Sequence, residues 1–137
     1  GKRSVTLDLR DERGRELVRR LVAISDVVTN NFRPGVLERM GLGYEALRAI
    51  KDDIILLNMP GCGKHGEWAN LGTMGGNIMA ASGINAITGF PDRPPYGLGC
   101  AYADFTSPYL AATAMLAALR HRRRTGEGQE LDLSQLS

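Results

Sequence analysis

Three groups of side chains in this sequence are of types that do chemistry. Asp104 is a lone carboxylate beside a long alanine-rich stretch. His65 and Cys62 lie in the glycine-rich run Pro60-Gly61-Cys62-Gly63-Lys64-His65-Gly66. A polar loop runs Asn30-Asn31-Phe32-Arg33-Pro34-Gly35. A carboxylate on a rigid element can serve as base or nucleophile, and Ala101, Tyr102, Ala103 and Phe105 would limit water around Asp104. The same short acidic side chain suits a helix cap, as does that of Thr106. His65 has no acid partner near it in sequence and no second histidine spaced for a metal. Cys62 fits a small residue filling a tight turn. Only His65 and His121 are present, so no Ser–His–Asp arrangement assembles. No second carboxylate sits at a spacing that suggests glycoside hydrolysis. The glycine run lacks the spacing and the Lys-Ser/Thr pair of a phosphate-binding loop, and no GxGxxG opens a helix.

The elements that must carry these residues read as alternating strands and helices. From Phe105 to Arg124 strong helix formers dominate, with Pro108 near the start, where a missing N–H does least harm. Arg120, Arg122, Arg123 and Arg124 suit the helix C-terminus, and Gly126 and Gly128 stop it before an alternating strand, Gln129 to Leu133. The apolar part, Leu110 to Leu119, is too short to cross a membrane. Ser4 to Leu9 alternates as a strand, Arg15 to Ile24 carries a helical apolar stripe, and Asp26 to Thr29 is a second strand. This order is the βαβ pattern of a parallel sheet. The polar loop that follows would sit where open parallel sheets bind ligands. Asn, Pro and Gly are equally ordinary turn residues. Short helices are expected over Val36 to Met40, where Gly35 would leave the first amides facing an anion, and over Tyr44 to Ile50. Lys51 to Asp53 reads as a solvated turn, and Ile54 to Met59 as a strand covered on both faces. Met74 to Ser82 reads as a weak helix packing Met74, Ile78, Met79 and Ala81, and Gly89 to Gly99 as a long loop. The fold class is therefore α/β, a partial Rossmann-like open parallel sheet with flanking helices.

Length and composition bound the rest. The 137 residues suffice for one domain, and 43% hydrophobic with 23% charged residues describe a globular chain. A formal charge of +2 gives no global support to nucleic-acid binding. The Arg120–Arg124 cluster has no stacking residues beside it. The two cysteines, Cys62 and Cys100, show no ligand cluster or disulfide spacing, so a reducing, cytoplasmic setting is expected. No metal, membrane or nucleic-acid partner is expected. Both ends read as cut, as in a piece of a longer protein.

Three stretches resemble one family. GKRSVTLDL, DVVTNNFRPGVLERMGLGYEALRAI and ADFTSPYLAATAMLAALRHRRRTGEGQELDLS are similar, in order, to the family III coenzyme A transferases, whose fold the alpha-methylacyl-CoA racemases share. Joined by Gly-Phe-Pro-Asp-Arg-Pro-Pro, they cover nearly the whole chain. The resemblance implies that residues 1–137 are part of a CoA-binding and catalytic large domain, without the family's first strand and small domain. It implies that Asp104 is the catalytic aspartate, forming covalent intermediates as CoA moves from an acyl-CoA donor to a carboxylic acid acceptor. It places the CoA contacts at Asn31, Phe32, Val36 and Arg39, and along Pro60 and Gly61, with Pro60 replacing the lysine of some relatives. CoA is then a substrate, no tightly bound cofactor is implied, and full-length members form interlinked homodimers. The fragment alone is expected to be inactive.

The chain departs from the racemases where it counts. Their catalytic histidine aligns with Met74, so transfer is the better reading, and Thr73, Met74 and Gly75 replace the Gly-Tyr-Asp of many relatives. The alternatives are an acyl-CoA racemase or epimerase, or a non-catalytic CoA- or nucleotide-binding domain with Asp104 only capping its helix.

Overall fold

The computed structural model describes residues 1–136. Its centre is a parallel sheet of three strands in the order β1 (Val27–Asn30), β2 (Ile55–Asn58), β3 (Gln129–Asp132). Five helices accompany it: α1 (Glu12–Ala23), α2 (Val36–Arg39), α3 (Tyr44–Ile50), α4 (Gly75–Ala81) and α5 (Tyr102–Thr125). The α/β class, the parallel pairing and the flanking helices are as the alternating pattern implies.

Strand β2 lies between the other two and is buried throughout, which is why its sequence, Ile-Leu-Leu-Asn, does not alternate. Ile54 and Leu56 join Val22 of α1, Leu37 of α2, Leu42 of the connection between α2 and α3, and Leu47 of α3 in one cluster. The side-chain period of two sends Ile55 and Leu57 to the opposite face, against α5. Each such aliphatic side chain contributes about 1.5–3 kcal/mol by leaving water. Helix α5 reaches the sheet through small residues, with Ala103, Ser107, Ala111 and Ala118 buried, so its backbone approaches closely.

The expected first strand is absent. Residues 4–8 join no strand ladder, Leu9 begins a turn, and Val5 is 67% exposed. Alternation marks a segment able to join a ladder; without a neighbouring strand it remains an unpaired arm. The arm turns into α1 at Asp8, and Gly14 is needed there because a Cβ would overlap the Asp8 carbonyl. Asp11 caps α1 by accepting from the Arg13 N–H at 2.9 Å, so the helix begins ahead of its apolar stripe.

Two expectations at α5 also change. The helix starts at Tyr102 with Ala101 as N-cap, so Asp104 lies inside the first turn and neither it nor Thr106 is the cap. Thr106 bonds back to the Tyr102 carbonyl at 3.1 Å instead. Pro108 consequently sits within the helix. Having no N–H, it cannot supply the bond that the Asp104 carbonyl would receive four residues on. At the other end Gly126 takes the left-handed conformation, φ 79°, and donates to the Arg122 carbonyl at 2.7 Å. In α4, Ile78 and Met79 are buried as expected, whereas Met74 is 79% exposed and Ala81 also faces outward. Lys51 to Asp53 is no merely solvated turn: the Lys51 ammonium donates to the Ser25 carbonyl at 2.7 Å.

Candidate active site

The carboxyl ends of the three strands open onto a cleft of about 350 Å³. Its walls are Thr29, Asn30 and Asn31 from the end of β1, Met59 beyond β2, Gln135 beyond β3, and Asp104, Ser107 and Pro108 of α5. Ligand clefts form here in open parallel sheets because successive loops diverge from the strand ends. The helical repeat explains the α5 contribution, since residues 104, 107 and 108 share one face. The ladder is extended past the strands to fix the floor. Met59 N–H donates to the Asn30 carbonyl at 2.9 Å, and the Gln135 side-chain amide donates to the Met59 carbonyl at 2.8 Å.

Asp104 is exposed rather than shielded, with Phe105 and Tyr102 pointing into solvent beside it. Its side chain has no hydrogen-bond or ionic partner among the described residues. It is nevertheless crowded on one side. Gly75, the first residue of α4, packs so near that an added Cβ would overlap the Ala101 Cβ and lie 3.0 Å from Asp104 Oδ2. A free carboxylate with one side walled and the other facing a cleft is suited to attack an electrophile that enters the cleft.

Of the residues expected to bind CoA, Asn31 lines the same cleft as Asp104. Phe32 and Pro60 line a narrow crevice that adjoins it through Asn30, together with Arg33, Gly35, Asn58 and Lys64. Val36, Arg39 and Gly61 line neither. Arg39 is exposed, its Nη1 3.0 Å from where a Cβ on Gly35 would stand. Gly61 packs against the Thr73 side chain, with no room for a Cβ, and its carbonyl accepts from Leu136 N–H at 2.9 Å.

The amides opening α2 do not wait for an outside anion. Val36 N–H turns back to the Arg33 carbonyl at 3.2 Å. Burial pushes the Glu38 carboxyl up, but its own backbone N–H and Lys64 outweigh that and hold it below the usual range. His65 is exposed, and among the described residues no group of three or more His, Cys, Asp or Glu side chains gathers as a metal would need. No helix among them is long and apolar enough to cross a membrane.

Thr29, Met59, Ser107 and Gln135 were not singled out from the sequence, Asn30 was named only as the start of the polar loop, and Pro108 only as a helix-start residue. The residues at the strand ends carried a usable signal: Asn30 and Asn58 each close an apolar strand, and they pair in register. Ser107 and Pro108 follow Asp104 at helical spacing. Gly75 carried none, because a close approach between α4 and α5 is invisible in local sequence.

Known proteins agree with this architecture. Residues 1–137 match the family described as CoA-transferase family III. The succinyl-CoA–D-citramalate CoA-transferase of Chloroflexus aurantiacus is 44% identical over 132 residues, 96% of this chain and 33% of that protein. The succinate–glutarate CoA-transferase of Agrobacterium fabrum is 40% identical over 136 residues, 99% of this chain and 34% of that protein. Among solved structures, a CAIB/BAIF family protein from Brucella suis superposes with a TM-score of 0.95 at 44% identity, covering 99% of this chain and 36% of that one. The chain thus spans about a third of the length of the relatives it matches. An open parallel sheet, a cleft at its carboxyl edge and this similarity lead to one conclusion: the chain belongs to the family III CoA-transferases.

Proposed function

We propose that, in the complete protein, this chain forms part of the CoA-binding and catalytic large domain of an enzyme that moves CoA from an acyl-CoA donor to a carboxylic acid acceptor, with Asp104 as nucleophile. The observation that carries the reading is the shared cleft of Asp104 and Asn31 at the carboxyl ends of the strands. A thioester entering it would meet a free carboxylate and a polar loop from opposite walls.

The chemistry follows from the carboxylate. Asp104 attacks the thioester carbonyl and the C–S bond breaks, giving an aspartyl–acyl mixed anhydride and CoA thiolate. The thiolate attacks the aspartyl carbonyl, releasing the donor acid and leaving an aspartyl-CoA thioester. The acceptor carboxylate attacks that thioester, forming a second mixed anhydride and freeing the thiolate. Thiolate attack on the acceptor acyl carbon then yields the new acyl-CoA and restores Asp104. Covalent catalysis of this kind splits one difficult exchange into easier steps. Asn31 and Phe32 hold the CoA arm, Pro60 and Gly61 flank it, Val36 supports the loop, and Arg39 meets the nucleotide phosphates through a bidentate guanidinium. Because the named relatives use succinyl-CoA or succinate, a dicarboxylic donor is the first to try. The two free thiols, Cys62 and Cys100, support a reducing cytoplasmic setting. Exposed apolar side chains on α5, Tyr109 at 78% and Leu116 at 68%, support burial in a larger assembly, which we take to be an interlinked homodimer. The fragment by itself would be inactive.

The test is to incubate the complete protein with short acyl-CoA donors, led by succinyl-CoA, quench with hydroxylamine and map the modified peptide. Donor-dependent modification confined to Asp104 is expected. Alpha-proton exchange in deuterated water without an acceptor, and no adduct with any donor, would overturn the reading in favour of racemisation.

A further inference from the structure

A single line of hydrogen bonds crosses all three strands at the carboxyl edge, and none of its side chains touches the reaction centre in the mechanism above. Phe32 N–H donates to Asn30 Oδ1 at 3.1 Å. Asn30 Nδ2 donates to Asn58 Oδ1 at 2.7 Å, and Asn58 Nδ2 to Glu130 Oε1 at 2.9 Å. The Lys64 ammonium ends the line on that same Glu130 oxygen and also reaches Glu38 Oε1 at 3.3 Å. The Lys64 backbone N–H binds Asp132 Oδ2 at 2.8 Å, which ties the glycine loop to β3.

The line has a fixed polarity. A backbone N–H can only donate, so Asn30 must present its oxygen to Phe32 and its NH₂ to Asn58. Asn58 must then present its oxygen to Asn30 and its NH₂ to Glu130. The Lys64 ammonium can only donate, so Glu130 Oε1 is an acceptor and the far end agrees with the near end. Asn58 is 7% exposed, and burial makes an unpaired amide there costly. A line of unambiguous polarity, anchored at its middle on buried Asn58, holds its first member, the backbone at Phe32, in one place.

We infer that Asn30, Asn58 and Glu130, locked by Lys64, are positioning residues that set the affinity for the CoA thioester by fixing the Asn31–Phe32 loop. This rests on the reading that the loop touches CoA. Asn58 acts through Asn30 and contacts no reacting atom.

The polarity supplies the test, made in the complete protein with succinyl-CoA as donor and free CoA for direct binding by calorimetry. Asn58→Asp keeps the shape but sets one carboxylate against another. It should raise KM for the donor and Kd for CoA about tenfold, with kcat within about twofold. Adding Glu130→Gln should bring both back to within about threefold, because the glutamine can turn its NH₂ to the new carboxylate and its oxygen to Lys64. Alone, Glu130→Gln can still accept from Asn58 and should cost less than Glu130→Ala, which leaves the Asn58 NH₂ without its acceptor.

Phe32→Ala separates the two layers of the argument. Loss of CoA affinity in Phe32→Ala, with none in Asn58→Asp or Glu130→Ala, overturns the relay and leaves the loop reading intact. Unchanged affinity in Phe32→Ala overturns the loop reading and the relay with it. A melting temperature restored by the double substitution, with KM left high, assigns Asn58 to stability alone and also overturns the inference.

Discussion

The two ends of the same sheet are finished in different ways. At the amino end full charges meet. Arg122, near the close of α5 and 13% exposed, binds Asp26 Oδ1 at 2.8 Å and the Asp26 carbonyl at 3.2 Å, and approaches Asp53 at 3.6 Å. Lys51 stands 3.8 Å from both Asp26 and Asp53. The Arg122 guanidinium, with Lys51 behind it, holds the Asp26 carboxyl below its usual range. At the carboxyl end two neutral amides, Asn30 and Asn58, carry the link between strands as far as Glu130, and a cleft stays open beside a carboxylate with no partner. An end that only has to be closed can pair every charge. On the proposed function the carboxyl end admits a ligand and leaves one charge free, because a nucleophile tied up in an ion pair is a poorer one.

The largest expected effect breaks this contrast at its functional end. Asp104→Ala in the complete protein should reduce acyl transfer by roughly 10³-fold or more, the scale for removing a covalent nucleophile. The melting temperature should stay close to that of the unaltered protein, since Asp104 is exposed and its side chain has no partner to lose. Steady-state assays beside a thermal melt check both halves. Retained transfer would reduce Asp104 to an ordinary residue of the first helical turn.

Gly75→Ala tests the wall rather than the proposed nucleophile. The added methyl overlaps Ala101 and stands 3.0 Å from Asp104 Oδ2, so α4 or the carboxylate must move. A displacement near 1 Å should lower kcat by about 10²-fold while CoA affinity measured by calorimetry changes little. At the amino end the result should invert. Arg122→Ala removes the tie between α5 and β1, lowers the melting temperature by roughly 2–4 °C, and leaves kcat unaltered. If Arg122→Ala cost as much activity as Gly75→Ala, the two ends would not be independent.

How much of this was legible in the sequence differs between the same two regions. Strand β2 and helices α3 and α5 could be placed because apolar runs and helix formers act locally. The arm at residues 4–9 carried as clear an alternation as any strand, yet strand formation depends on a neighbour the pattern does not name. Arg122 looked like one member of a basic cluster until the fold brought Asp26 and Asp53 to it across 96 and 69 residues. In the cleft, Asp104 and Asn31 were proposed through family resemblance, and their shared cleft appears only in three dimensions. Asn30 and Asn58 could have been noticed as matching polar ends of apolar strands. Gly75 could not, because nothing in a Met-Gly-Gly run says which chain crosses it.

The smallest effect concerns Lys64, where the carboxyl end does contain an ion pair. Burial works against the Lys64 charge, but Glu130 and Glu38 outweigh it and raise its pKa above 10.5. Glu38 is held below 4.5 for the reasons given above. For Glu38 the folded state prefers the ionised form, so its contribution is present above pH 4.5 and fades as pH falls through the lower folded value. For Lys64 the contribution is full below pH 10.5 and fades as pH rises through the higher folded value. The Glu38 carboxylate is 48% exposed, so solvent screening keeps its pair with Lys64 below about 1 kcal/mol. Melts of the protein and of Glu38→Gln should therefore differ by a small constant amount between those limits and converge in acid. Convergence should come without change at Arg122, whose partners lie at the other end of the sheet. A difference that persisted after Glu38 is fully protonated would mean that Glu38 stabilises α2 by packing instead of charge, and would leave the carboxyl end held by its amide line alone.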